Sequence, residues 1–242
     1  MKNILEICQE VADMAAVARP KDLFSGQSEH ENIFKSTAIE TLDDLLEYGD
    51  WRDSIRQGEI VTNCSQKDYN IKEFCDDFYS LMNETVYIKD TQEKIVGSIT
   101  PEHYLKEKVF NCPSLDIKFL FQNGRLRFLS LPKGNYKIVF MYRSNAIVYD
   151  PTRGYEEKSE FTKNTDIPIF DDNLVKKGVY WRWLRRNGMD YQEEFNSYER
   201  ALNRTFGTER AAQDINLAGN LFDGNDLGGV YIHAATECQS CE

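Results

Sequence analysis

The period at which apolar residues recur changes twice along this 242-residue chain, from helical to strand-like and back, and that order limits the folds open to it. In the first third, Ile4, Cys8, Val11 and Ala15 fall at helical spacing, with Leu5 and Ala12 beside them. A helix ending at Arg19-Pro20 is expected, because the residue before a proline is pushed out of the α region. The polar loop Ser25-Gly26-Gln27-Ser28 then leads to a second helix from about Glu31, striped by Phe34, Ala38, Leu42 and Leu45. Gly49 is a natural residue to end it, and Trp51 follows as a large aromatic to bury.

From about Glu59 β-branched and aromatic residues take over, in Ile60-Val61-Thr62 and in Thr85-Val86-Tyr87-Ile88, which reads as strand. Thr100-Pro101-Glu102 predicts a helix start, with Thr as N-cap and Pro at the first helical position, running to about Phe110. Ile117–Phe121 and Arg125–Leu129 flank Asn123-Gly124, the strongest two-residue hairpin signal. Tyr136–Tyr142 supplies a third strand after the turn at Leu131–Gly134. A small antiparallel sheet is expected here.

Helices resume at Asp171-Asp172, acids placed where the helix dipole favours them. The run to Arg186 carries Leu174, Trp181 and Leu184 on one face, and Asn187-Gly188 closes it. Tyr191, Phe195, Tyr198, Leu202 and Phe206 form the clearest amphipathic stripe in the chain. Residues 212–242 hold five acids, no Lys or Arg and four glycines, with Leu221-Phe222 and Val230-Tyr231-Ile232 as apolar islands. Such a segment reads as an acidic arm that orders on a partner; the alternative is a terminus packed on its own domain.

A formal net charge of −11 disfavours nucleic-acid binding, sequence-specific or not, and docking on anionic membranes. No stretch approaches the ~20 apolar residues of a membrane helix, and the N-terminus lacks the apolar run of a signal peptide. The chain is therefore expected to be soluble and cytoplasmic. Six dispersed cysteines imply reduced thiols; Cys238 and Cys241 form a CxxC with only His233 nearby, which leaves zinc without a ligand set.

Chemistry is hard to find. Walker, GxGxxG, GxSxG and HExxH patterns are missing. His30, His103 and His233 fall on separate predicted elements, and Asn111-Cys112-Pro113 offers nothing to activate a thiol. The acid pairs Asp43-Asp44, Asp76-Asp77 and Asp171-Asp172 are adjacent, so their side chains diverge and do not form a glycosidase pair unaided. Asp223-Gly224-Asn225-Asp226 lacks the acid spacing of a calcium loop. No catalytic residue, cofactor or metal is expected.

Several segments taken together resemble the head-to-tail adaptor, or connector, proteins of short-tailed bacteriophages. The strongest is Phe161 to Leu174, with Thr165-Asp166-Ile167-Pro168 and Asp171-Asp172, continuing through Gly178, Trp181-Arg182-Trp183 and Gly188 to Asp190-Tyr191 and Tyr198. Leu5, Cys8, Val11-Ala12, Arg19-Pro20 and Gly49-Asp50-Trp51 resemble the family's opening. Tyr69, Ile71, Asp77-Phe78 and Asn83–Tyr87 resemble its centre, although Lys72 stands where the family often has proline. The likeness spans roughly residues 4 to 205, and it is the order and spacing of the pieces that make it specific.

The resemblance implies an α+β fold: an antiparallel helical bundle with an inserted small antiparallel β domain and an extended C-terminal arm. The corresponding divisions are residues 1–57, 58–160, 161–211 and 212–242. It implies a homo-oligomeric ring, a dodecamer in this family, that joins the portal protein to the downstream tail or nozzle protein and lines the DNA exit channel of the virion. Leu221, Phe222, Val230, Tyr231 and Ile232 are then candidate portal contacts. Lys176, Lys177, Arg182, Arg185 and Arg186, a local +3 against Asp171 and Asp172, are candidate subunit contacts; the alternative is a solvated helix face. Other readings are a stopper or nozzle subunit, or a carboxylate-dependent cell-wall glycan hydrolase.

Overall fold

In a computed structural model of the chain, residues 1–25, 28–63, 67–110, 116–129 and 134–210 are described. The fold is mixed α+β. In order, its elements are α1 (Ile4–Met14), α2 (Glu29–Tyr48), β1 (Ile55–Val61), β2 (Asp68–Asn70), β3 (Phe78–Leu81), β4 (Tyr87–Ile88) and β5 (Glu93–Lys94). Next come α3 (Pro101–Phe110), β6 (Lys118–Gln122), β7 (Arg125–Leu129), β8 (Lys137–Ser144) and β9 (Val148–Asp150). Finally there are β10 (Glu156–Lys158), β11 (Ile167–Pro168), α4 (Asp172–Arg186) and α5 (Gln192–Arg210).

The described residues build two apolar cores. One is helical: Ile4, Ile7 and Val11 of α1, Phe34, Leu42 and Leu45 of α2, and Leu174, Val179 and Trp183 of α4. Tyr198 and Leu202 of α5 join it, and Tyr191, Phe195 and Phe206 pack on it half-buried, as their stripe predicts. The other core is β-rich and runs from Ile60 to Tyr142, centred on Tyr69, Phe119, Phe128, Ile138 and Phe140. Ile147, Val148, Phe161, Ile169 and Phe170 belong to the helical core, so the chain returns to it at Ile147, earlier than the boundary expected at 160.

Strand β8 organises the larger sheet. It pairs antiparallel with β1 from Ile55↔Arg143 to Val61↔Lys137, and on its other edge with β3 and β4. Its burial alternates residue by residue, the mark of a strand with one covered face. A second sheet, β2-β7-β6, contains the expected hairpin: Asn123 and Gly124 both have positive φ (53° and 71°), the two-residue turn whose twist matches its strands. The sheet expected from sequence is thus two sheets, and a third, β10-β9-β11, lies beside the helices.

Two helix ends differ from expectation. Helix α1 stops at Met14, well before Pro20. Ala16 takes a left-handed φ of 53°, which lets its N–H reach the Asp13 carbonyl (3.2 Å) and the Val17 N–H reach that of Ala12 (3.0 Å). That paired cap closes the helix without glycine or proline. Helix α2 does end before Gly49, but with extended backbone. Glycine is needed there because the Phe206 ring lies 2.3 Å from where a Cβ would stand.

Candidate interaction surfaces

Helix α4 is built to be buried. Asp171 caps it, accepting from the N–H groups of Asn173 (3.1 Å) and Leu174 (3.0 Å). Asp172 turns the other way, towards the chain's own amino terminus and the Lys2 N–H. At Gly178 a Cβ would stand 2.4 Å from Thr41 Cγ2, so glycine permits the close approach of α4 to α2. Buried glycine, Trp181 and Trp183 make this face a packing surface.

The five cations expected at a subunit contact divide. Arg182 is buried within its own subunit. It donates to the Gly178 carbonyl (3.0 Å) and Thr41 Oγ1 (3.3 Å), pairs with Asp44, and lies over the rings of Trp181 (4.3 Å) and Tyr198 (5.6 Å). It is therefore corrected from interface to core: its flat, weakly hydrated head suits stacking between aromatic rings. The other four reach the surface but have partners at home. Lys176 pairs with Glu10 (3.3 Å), Lys177 donates to Ser197 (2.9 Å), Arg185 lies over Trp181 (5.2 Å), and Arg186 binds Ser36 and Glu40.

Sequence reasoning missed two cations. Arg200 and Arg204, one turn apart on α5, line a groove of about 520 Å³ with Asn173, Lys177 and Thr208, and neither pairs with a carboxylate among the described residues. Their i, i+4 spacing on α5 is visible in the sequence, but the approach of Lys177 from α4 is not.

The adjacent acids diverge as expected. Asp44 meets Arg182, whereas burial, and after it the charges of Asp44, Glu47 and Glu160, push the Asp43 carboxyl above the ordinary range. Asp77 accepts from the Tyr142 hydroxyl (2.7 Å) beside an open cleft of about 790 Å³ that also touches Asp76, Arg56 and Glu157. Burial and this bond push the Tyr142 phenol well up, so it serves as a fixed donor.

A buried polar clasp closes the segment leading into α4. Asp166 takes both oxygens to Lys158 (2.8 Å) and accepts from the N–H groups of Thr162 (2.7 Å) and Lys163 (2.9 Å). Asp150 accepts from Lys163 (2.7 Å) and Thr152 (2.6 Å). Asn164 ties the same loop to the chain start through Leu23 (2.9 Å) and Asp22 (2.9 Å). Every one of these groups is paired, which is what a buried polar cluster needs to be structural.

His30 packs edge-on to Phe34, and His103 sits exposed on α3 with Glu107 (2.7 Å). Cys8 is buried in the helical core, and burial pushes its thiol up to about 12, so it is a packing residue. Among the described residues no group of three His, Cys, Asp or Glu could hold a metal, and no helix is long and apolar enough to cross a membrane. Cys112, His233, Cys238, Cys241, the Asp223–Asp226 run and the arm residues Leu221, Phe222, Val230, Tyr231 and Ile232 lie outside the described residues.

Helix α3 differs from the others. Thr100 caps it, accepting from the His103 N–H (3.2 Å), and Glu107 ties it to Lys118 of β6 (2.5 Å). Yet it buries no residue, and Leu105, Val109 and Phe110 are 59%, 67% and 69% exposed. A groove of about 340 Å³ beside it is lined by Tyr104, Lys108, Lys67, Arg127 and Phe128. Compared with known proteins, the chain matches no family model and no curated protein.

Proposed function

We propose that this chain is a structural subunit of a tailed-bacteriophage virion: a head-to-tail adaptor whose ring joins the portal to the downstream tail or nozzle protein. What supports this reading most is the way one core interrupts the other. The chain leaves the helical core after Trp51, builds a separate apolar core from Ile60 to Tyr142, and rejoins the first at Ile147. An interruption of this kind supports reading the chain as a helical body with a β insertion, in which α1, α2, α4 and α5 would form the bundle.

The net charge of −11 fits a channel through which DNA must slide without sticking. In this reading the acidic segment 212–242 is the arm that meets the portal, with Leu221, Phe222, Val230, Tyr231 and Ile232 as its anchors. Lys176, Lys177, Arg185 and Arg186 remain candidates for contact with a neighbouring subunit, joined by Arg200 and Arg204. The role is mechanical, with no catalytic residue assigned.

The test is a binding assay with the portal protein encoded alongside this chain. Deleting residues 213–242 should leave a folded protein whose portal affinity is lost, and the double substitution Phe222→Asp/Tyr231→Asp should do the same. Undiminished binding by both variants would reject the arm, and no portal binding by the intact chain would reject the adaptor role.

A further inference from the structure

A ten-residue helix has little stability of its own in water, and most helices in proteins persist because one face is packed. In α3 the apolar pair one turn apart, Leu105 and Val109, is left open, with Lys106 and Lys108 exposed between and beside them. The groove alongside adds Lys67, together with Arg127, which pairs with Asp68 (3.2 Å) in the same lining. Charge is unevenly shared along the chain. Residues 55–144 hold 13 Lys and Arg against 11 Asp and Glu, a net +2, whereas residues 1–54 hold 5 against 12, a net −7.

The concentrated negative charge of that first segment has an exposed address. On α2, Ile39, Asp43 and Glu47 follow one another at four-residue spacing and so share a stripe, exposed along its length, with Glu160 close by. Of the acids around Asp43, Asp44 pairs with Arg182 and Glu40 with Arg186; burial first, and then these neighbours with Glu47 and Glu160, hold its carboxyl above the ordinary range. The flank carries carboxylates and one exposed aliphatic side chain; α3 carries lysines and exposed aliphatic side chains.

We propose that α3 of one copy docks on the acidic α2 flank of a second copy, its Leu105–Val109 stripe covering Ile39 and its lysines opposing Asp43 and Glu47. The two surfaces are different and lie on different helices, so the contact is heterologous: each subunit offers one of each, and repetition gives a closed ring or an open filament. The inference deepens the ring reading and takes its biological meaning from it, but the contact itself can be tested without a portal.

Two full-length variants suffice, Leu105→Ser/Val109→Ser and Asp43→Lys/Glu47→Lys, followed by sedimentation velocity and native mass spectrometry. All four positions are exposed, so both variants should melt like the wild type. The wild type should self-associate, and each variant alone should bind itself at least about 30-fold more weakly, as expected when a central contact is lost. Mixed, they should form a 1:1 heterodimer and nothing larger, because one partner keeps only α3 and the other only the α2 flank. A mixture that stays monomeric, an α3 variant that assembles like the wild type, or a wild type that never associates would each overturn the proposal. Assembly that ignores the α3 variant would reject this contact while leaving the ring reading intact; that reading fails separately, if intact chain binds no portal.

Discussion

Helices α3 and α4 both start from a well-formed cap and both carry lysines and large apolar side chains, yet they stand at opposite extremes. Helix α4 buries eight of its fifteen residues, including both tryptophans and an arginine, and α3 buries none of its ten. The difference lies in what surrounds them. Helix α4 packs on α1 and α2 and meets α5 through side chains such as Trp181 against Phe195, with Gly178 and Arg182 shaped to that fit, whereas α3 touches chiefly strand β6. One helix holds the fold together; the other is carried on its surface.

The comparison can be broken by substitution, most strongly at Trp183. Replacing it with Ala removes a buried ring stacked on Phe34 and should cost roughly 3–5 kcal/mol, read by chemical denaturation. If the two cores unfold separately, only one of two transitions should move. The clasp comes next. Asp166→Asn removes the charge that holds Lys158 and two backbone N–H groups, and should cost roughly 2–4 kcal/mol.

The same clasp has a pH signature through Asp150. Hydrogen bonds from Lys163 and Thr152 hold its carboxyl well below the ordinary range. A depressed acid stabilises the fold at pH values above its unfolded pKa, about 4, and that contribution fades as pH falls further. The melting difference between wild type and Asp150→Asn should therefore be constant from pH 7 to about 5 and shrink below about 4. Smaller still, Gly124→Ala forces a side chain onto a φ of 71° and should cost about 1 kcal/mol. Smallest of all, Leu105→Ala on α3 should stay within about 0.5 kcal/mol of wild type. A loss of several kcal/mol there would mean that α3 belongs to a core after all.

Much of the architecture could be read from residue pattern, and the failures have physical causes. Gly188 announces the paired cap at the end of α4, where its left-handed φ of 68° lets the Met189 N–H reach the Leu184 carbonyl (3.0 Å). The same cap ends α1 at Ala16, a residue with no preference for that conformation, so the pattern pointed to Pro20 instead. Asn123-Gly124 fixed a hairpin because both residues tolerate positive φ. How many sheets the strands would form depended on pairings such as Tyr69↔Leu126, between residues far apart in sequence.

The surfaces were less legible than the fold. A run of cations on α4 looks uniform in sequence, but only three dimensions separate Arg182, sealed against Trp181 and Tyr198, from its exposed neighbours. Arg200 and Arg204 matter because α4 brings Lys177 beside them, which no spacing on α5 alone reveals. Helix α3 was placed correctly, and its want of a buried face became visible only once the surrounding sheets were in position.

The adaptor reading is tested most directly by cryo-electron microscopy of this protein mixed with the portal protein encoded alongside it. The account predicts a closed ring of this chain seated on the portal, its helical and β-rich parts resolved as two layers and added density running from the end of α5 onto the portal surface. A portal that remains bare, with this chain monomeric in the same grids, would contradict it.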